Sequence, residues 1–266
     1  MSAISFRLSR LLGLAVLSSC LSSAAAEADT PELKAAVVVA SDPSPADFLD
    51  SIAQKTKARW RLLFRPPPPT PPTDRGRTAL ILGTLMGDSF LVLQAGDAQQ
   101  FRNNNQDVLT YCRTLGLGEK LLPRLMTQGN LAEKNAWKDL RQEIVDGHQQ
   151  ALQLLRDQMD EDLALLINIG VGLRLFEIAT AIIVAAPEAD VGLLCGTSPA
   201  LLRDMRDDWS HISAPKRDEA LMLRVSALIH EIGQLWQDAD KTPLTQAQAA
   251  ETNDKLKGLM QEMITK

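Results

Sequence analysis

The chain has few aromatics, cysteines or histidines. Its 266 residues hold four Trp, one Tyr, six Phe, three Cys and three His. So few rings leave little material for the stacking platforms that single-stranded nucleic acids require. A formal net charge of −5 argues against the basic face that a nucleic-acid binder uses to displace counterions, so no nucleic-acid partner is expected. Three cysteines with no CxxC spacing cannot build a four-cysteine zinc site. The histidines fit a metal no better. His230-Glu231 opens like the zincin HExxH, but residue 234 is Gln and the second ligand is missing. Asp204, Asp208 and His211 share a face of a predicted helix, yet Arg203, Arg206 and Asp207 around them mark that face as solvated. ExxH, GxSxG, the P-loop and GxGxxG after a strand are all missing. We therefore expect no catalytic residues, no metal and no cofactor. No run alternates β-branched or aromatic residues with polar ones, so a sheet is not expected either.

The N-terminus, by contrast, is distinctive. Arg7 and Arg10 precede a short apolar run, Leu11 to Leu17, and Ala26-Glu27-Ala28 is an A-x-A cleavage site. Residues 1–28 thus read as a signal peptide, and the protein is expected to be exported to a periplasmic or extracellular space. A second reading stays open. Leu17-Ser18-Ser19-Cys20 resembles the bacterial lipobox, which implies cleavage before Cys20 and lipidation of its thiol. Membrane association is then expected only through that anchor, or through peripheral contact of a basic N-terminal arm. The two other cysteines, Cys112 and Cys195, either pair in an oxidising compartment or sit apart as small hydrophobes.

Helix punctuation dominates the rest. Ser or Thr before Pro occurs at Thr30-Pro31, Ser44-Pro45, Ser198-Pro199 and Thr242-Pro243, where the hydroxyl caps free N–H groups and proline takes the first turn. Asp97 with Gln100, and Asn130 with Glu133, have capping-box spacing. Gly96, Gly116, Gly129 and Gly196 stand where helices would stop. These marks, with apolar stripes of period near 3.6, predict an all-α multi-helix bundle. The expected helices are 45–65, 77–95, 97–115, 118–128, 130–159, 161–186, 198–211, 214–238 and 243–264. Arg65 to Thr73, RPPPPTPPT, favours polyproline II and reads as a semi-rigid connector. It divides an N-terminal arm, 29–64, from a helical bundle domain, 74–266.

Two expected helices, Ala79 to Ala95 and Leu163 to Ala186, are apolar on nearly every face, which places them centrally in a bundle or in a membrane. Arg174 and Glu177 in the second weigh against a membrane, since a buried Arg costs at least ~2.5 kcal/mol there. Gly83 and Gly87 in one, and Gly170 and Gly172 in the other, would let the two backbones approach closely. There is also a faint internal echo, Gly83 with Asp88 against Gly172 with Glu177. Asp88, Arg174 and Glu177 are charges inside apolar runs, and they are the candidate ligand-binding residues. The leading functional expectation is a non-catalytic envelope protein acting as a helical interaction or scaffold module, with a protein partner or self-association. The alternative is a carrier of a small molecule or lipid, with its pocket between the helices.

Overall fold

The structure, a computed structural model, describes residues 44–185, 198–237 and 245–265. Among them are ten α-helices, one 3₁₀ turn and no strand, so the fold is an all-α multi-helix bundle. The signal peptide, Cys20, Cys195, Gly196, Thr30-Pro31 and Thr242-Pro243 lie outside the described residues.

Helix α1, Pro45–Lys55, starts as its sequence dictates. Ser44 caps it, Pro45 takes the first turn, and Asp47 completes a capping box. Its apolar side, Ala46, Phe48, Leu49 and Ile52, is buried in the common core. The rings of Phe48 and Phe176 stand 6.1 Å apart, and Arg141 holds Asp47 at 2.6 Å and Asp50 at 3.0 Å. The expected helix over 45–65 breaks at Thr56, whose backbone is extended and whose hydroxyl donates to the Ile52 carbonyl. A short 3₁₀ turn, Trp60–Leu63, follows. After the break, Trp60, Leu63 and Phe64 pack, partly buried, against the core.

The proline run is held against the bundle. Polyproline II leaves every carbonyl free, and two are taken up: the Tyr111 hydroxyl donates to Pro69 O at 3.0 Å and Thr78 to Pro72 O at 2.9 Å.

Helices α2, Arg75–Ala95, and α6, Glu161–Ala185, form the centre. By length and composition each could cross a membrane, yet 83% of each apolar stretch is buried within the bundle. Around them run α3, Ala98–Thr114; α4, Gly118–Glu133; α5, Trp137–Asp157; α7, Ser198–His211; α8, Ala214–Arg217; α9, Ala220–Gln237; and α10, Gln246–Ile264. α3 packs on α2 and α4, α5 on α4 and α6, α7 and α10 on α6, and α9 on α7 and α10.

Some stop signals act and others do not. Gly96 and Gly116 take left-handed backbone, φ 60° and 79°, and end α2 and α3. Asp97 caps α3, accepting from Gln100 N. Gly129 does not end a helix. The buried positions Leu121, Leu125, Gln128 and Ala132 carry one stripe through it. The turn falls instead at Asn135, φ 53°, with the Ala136 N–H donating to Leu131 O. Ala214 to Gln237 is two helices rather than one, and α10 is capped by Thr245 with Gln248 in a capping box.

The α2–α6 contact is set by glycine. A Cβ on Gly83 would lie 2.1 Å from the Ile167 carbonyl oxygen, and one on Gly170 would lie 2.3 Å from that of Leu80. Gly87 in turn faces the stem of Arg174. The partners advance together along both helices, so α2 and α6 run parallel. Gly83→Ala or Gly170→Ala should therefore destabilise the fold by at least ~1–3 kcal/mol through overpacking against backbone. Gly258→Ala in α10, where nothing lies within 4 Å, should be neutral or stabilise by up to about 1 kcal/mol. Urea denaturation of the three variants tests this, and equal effects at all three sites would refute it.

Candidate functional site

Beyond the glycine contact, α2 and α6 carry the charges that interrupt their apolar runs. Asp88 follows Gly87, and Arg174 lies opposite. Arg174 is 1% exposed and spends its guanidinium in three directions. Nε donates to Asp88 Oδ1 at 2.6 Å, Nη1 to Glu177, and Nη2 to the Leu63 carbonyl at 2.6 Å. The structure thus brings together all three candidates, Asp88, Arg174 and Glu177.

A fourth member, Arg65, had no signal of its own in the sequence. It stands at the end of the 3₁₀ turn, just before the proline run, and differs from Arg59 and Arg61 only in where the chain takes it. Its Nε donates to Asp88 Oδ2 at 3.2 Å, and Nη2 donates to the same oxygen. Asp88 is thus clasped between two guanidiniums. Asn253 of α10 closes the far side, donating to Glu177 O at 2.9 Å and Thr180 Oγ1 at 3.0 Å.

The electrostatics follow from this geometry. Burial opposes ionisation of Asp88, but Arg174 and Arg65 outweigh it and hold the carboxyl below its usual value. Burial pushes Arg174 down to about 10, still charged near neutral pH, with Asp88 opposing the fall. Removing the arginine would leave Asp88 and Glu177 buried without it.

A groove of about 250 Å³ opens beside this network. Pro66 to Pro68 form one wall, Ile81, Thr84 and Leu85 of α2 another, and Met260 and Ile264 of α10 a third. Arg65, Asp88, Glu177 and Lys257 supply the charges.

A second polar feature lies between α4 and α5. His148 is buried and lines a cavity of about 20 Å³ with Ser89, Gln128 and Arg124. Its Nε2 has no hydrogen-bond partner. Burial pushes His148 down to about 4, so the ring is neutral near pH 7. Burial, with Asp204 and Asp207 adding to it, pushes Asp208 up to about 6.

Cys112 is a free, wholly buried thiol, pushed up to about 12 by burial; Cys195, expected either to pair with it or to sit apart, is not among the described residues. No group of three His, Cys, Asp or Glu side chains among the described residues could hold a metal, and Asp204, Asp208 and His211 do not converge. Comparison with known proteins finds no matching family model, no matching curated protein and no matching solved structure.

Two predictions follow from the buried groups. Arg174→Met should cost about 3–5 kcal/mol in chemical denaturation, since it strands Glu177 and leaves Asp88 to Arg65 alone; a loss under 1 kcal/mol would show that the network does not hold them. For His148, the folded pKa lies below the unfolded value, so its contribution is full above about pH 6.5 and is lost as pH falls to about 4. Asp208 works oppositely over part of that range, and its effect cancels when two variants are compared. The Tm difference between wild type and His148→Gln should therefore be flat above pH 7 and shift against the wild type towards pH 4. A pH-independent difference would mean that His148 is not buried neutral.

Proposed function

We propose that the protein is a non-catalytic, exported envelope protein that works by binding, and that its ligand seats in the groove between the proline run, α2 and α10. The observation that carries this reading is the groove itself. Its apolar walls adjoin a charged network in which Arg174 and Glu177 are buried, Asp88 nearly so, and Arg65 reaches the surface. Ligand sites are typically concave and mostly apolar, with a few placed polar groups. At about 250 Å³ this one suits a small ligand. Asp88 and Arg174 are paired and held charged, which suits positioning rather than proton exchange near neutral pH. Export rests on the order of Arg7, Arg10, the apolar run and the A-x-A site.

A scaffold role resting on surface contacts has less behind it. The exposed large apolar side chains among the described residues, Leu62, Met126, Met159, Val184, Leu223 and Ile264, sit one each on six separate segments of the chain. Single exposed hydrophobes are ordinary.

Native mass spectrometry of the protein isolated from its own host tests the binding reading. A small-molecule adduct is expected on the wild type, and its loss is expected in Ile264→Trp, which narrows the groove at its rim. A bare chain in both would refute the reading.

A further inference from the structure

The charges around the groove do not balance. Four ionic groups line it, Arg65 and Lys257 cationic and Asp88 and Glu177 anionic, and Arg174, buried behind the wall, is already bonded to both carboxylates. One positive charge is left over. Asp107 of α3, raised by burial and by the Asp88 charge, forms no ion pair with these groups among the described residues.

The surplus has an address. Arg65 carries five N–H donors in a planar fork. Nε and Nη2 are committed to Asp88, and Nη2 also reaches the Thr84 carbonyl at 3.4 Å. Nη1, on the other prong, faces only the Met260 thioether at 3.1 Å. A thioether sulfur is a weak acceptor for a charged donor. Arg65 is also the exposed end of the network, its side chain 27% accessible against 1% for Arg174. Lys257 stands on the same rim, exposed and with no ion pair among the described residues. Below the two cations the walls are apolar: Ile81, Leu85, Met260, Ile264 and the proline rings.

We infer that the groove takes a free, single-chain monocarboxylate, with its carboxylate between Arg65 Nη1 and Lys257 Nζ and its aliphatic body along the apolar walls. This rests on the binding reading above and specifies its ligand. A carboxylate replaces a poor acceptor with a charged one, and a guanidinium prong suits its planar geometry. One negative charge completes the balance, whereas a cationic head would add to the surplus. An aliphatic body covers walls that would otherwise face water.

The test is isothermal titration of the full chain with octanoate, octanol and octylammonium, each below its aggregation concentration. Octanoate should bind at least tenfold more tightly than octanol, with octylammonium weakest. Lys257→Glu, a change on the exposed rim that leaves the core untouched, should weaken octanoate about tenfold or more and leave octanol unchanged. Arg65→Gln should do the same, with circular dichroism confirming that the helices persist. If octanol binds as tightly as octanoate, or Lys257→Glu has no effect on octanoate, the carboxylate assignment fails and the groove reading stands. If none of the three binds, both fail. Equal binding of octanoate to wild type and Ile264→Trp would place the site elsewhere and overturn the assignment.

Discussion

Two carbonyl oxygens pressed against two glycine α-carbons set the geometry of this molecule. Where α2 crosses α6, no side chain stands between the backbones at Gly83 and Gly170. Every other arrangement in the centre inherits from that approach. One turn further on, Gly87 leaves room for the stem of Arg174, whose Cβ and Cγ would lie 3.0 Å from a Cβ there. Held that close, the guanidinium cannot lie along its own helix towards water. It has to find acceptors inside, and Asp88, Glu177 and the Leu63 carbonyl are those acceptors. A buried ion pair is seldom a net source of stability against apolar residues of the same volume. Its effect here is to fix register: α2, α6 and the 3₁₀ turn satisfy Arg174 only in one relative position.

The central contact is also two-fold in kind. Leu80 and Gly83 meet Gly170 and Ile167 reciprocally, each glycine against the other helix's carbonyl. Each central helix is further held by an asparagine from a neighbour that bonds one carbonyl and one hydroxyl. Asn104 of α3 donates to Leu85 O and Ser89 Oγ, and Asn253 of α10 to Glu177 O and Thr180 Oγ1. The echo visible in the sequence, Gly83 with Asp88 against Gly172 with Glu177, is two residues off this correspondence. Gly172 packs instead against the Met205 side chain of α7. A carboxylate five residues after a glycine is a chance likeness; a glycine matched to a glycine across the contact is the physical one.

Much of the centre is legible in the residues because the physics there is local to each helix. An all-round apolar helix has to be central, and a charge inside it has to find a partner, so Asp88, Arg174 and Glu177 announce themselves. Ser44-Pro45, Asp97 and Gly96 work for the same reason, since a cap needs only its own turn. The failures have different sources. Gly129 has the credentials of a stop, but the stripe from Leu121 to Ala132 buries more apolar surface by continuing through it. The helix over 45–65 ends at Thr56 even though Trp60, Leu63 and Phe64 would continue the face of Leu49 and Ile52, so the period of that segment does not record the break. Arg65 is the extreme case. Its partners lie 23 and 195 residues away, and its own neighbourhood reads as a basic stretch running into a connector.

That connector changes the meaning of the site. As a spacer, the proline run would only separate an arm from a body. Held by Tyr111 and Thr78, it becomes a wall, and it delivers Arg65 to the one place where the buried network meets solvent. The network then grades outward, from an arginine that is 1% exposed to one that is 27% exposed, through a shared aspartate. The inner arginine meets charged and carbonyl acceptors in every direction and has nothing to offer a ligand. The outer one has a prong facing sulfur, at the edge of an apolar groove. Coulomb interactions are strongest where water is scarce. Asp88, fixed by Arg174 from behind, therefore holds Arg65 in place more firmly than a surface carboxylate could, and a pre-positioned cation costs a ligand less to bind than a mobile one. Register in the core and readiness at the rim come from the same four side chains.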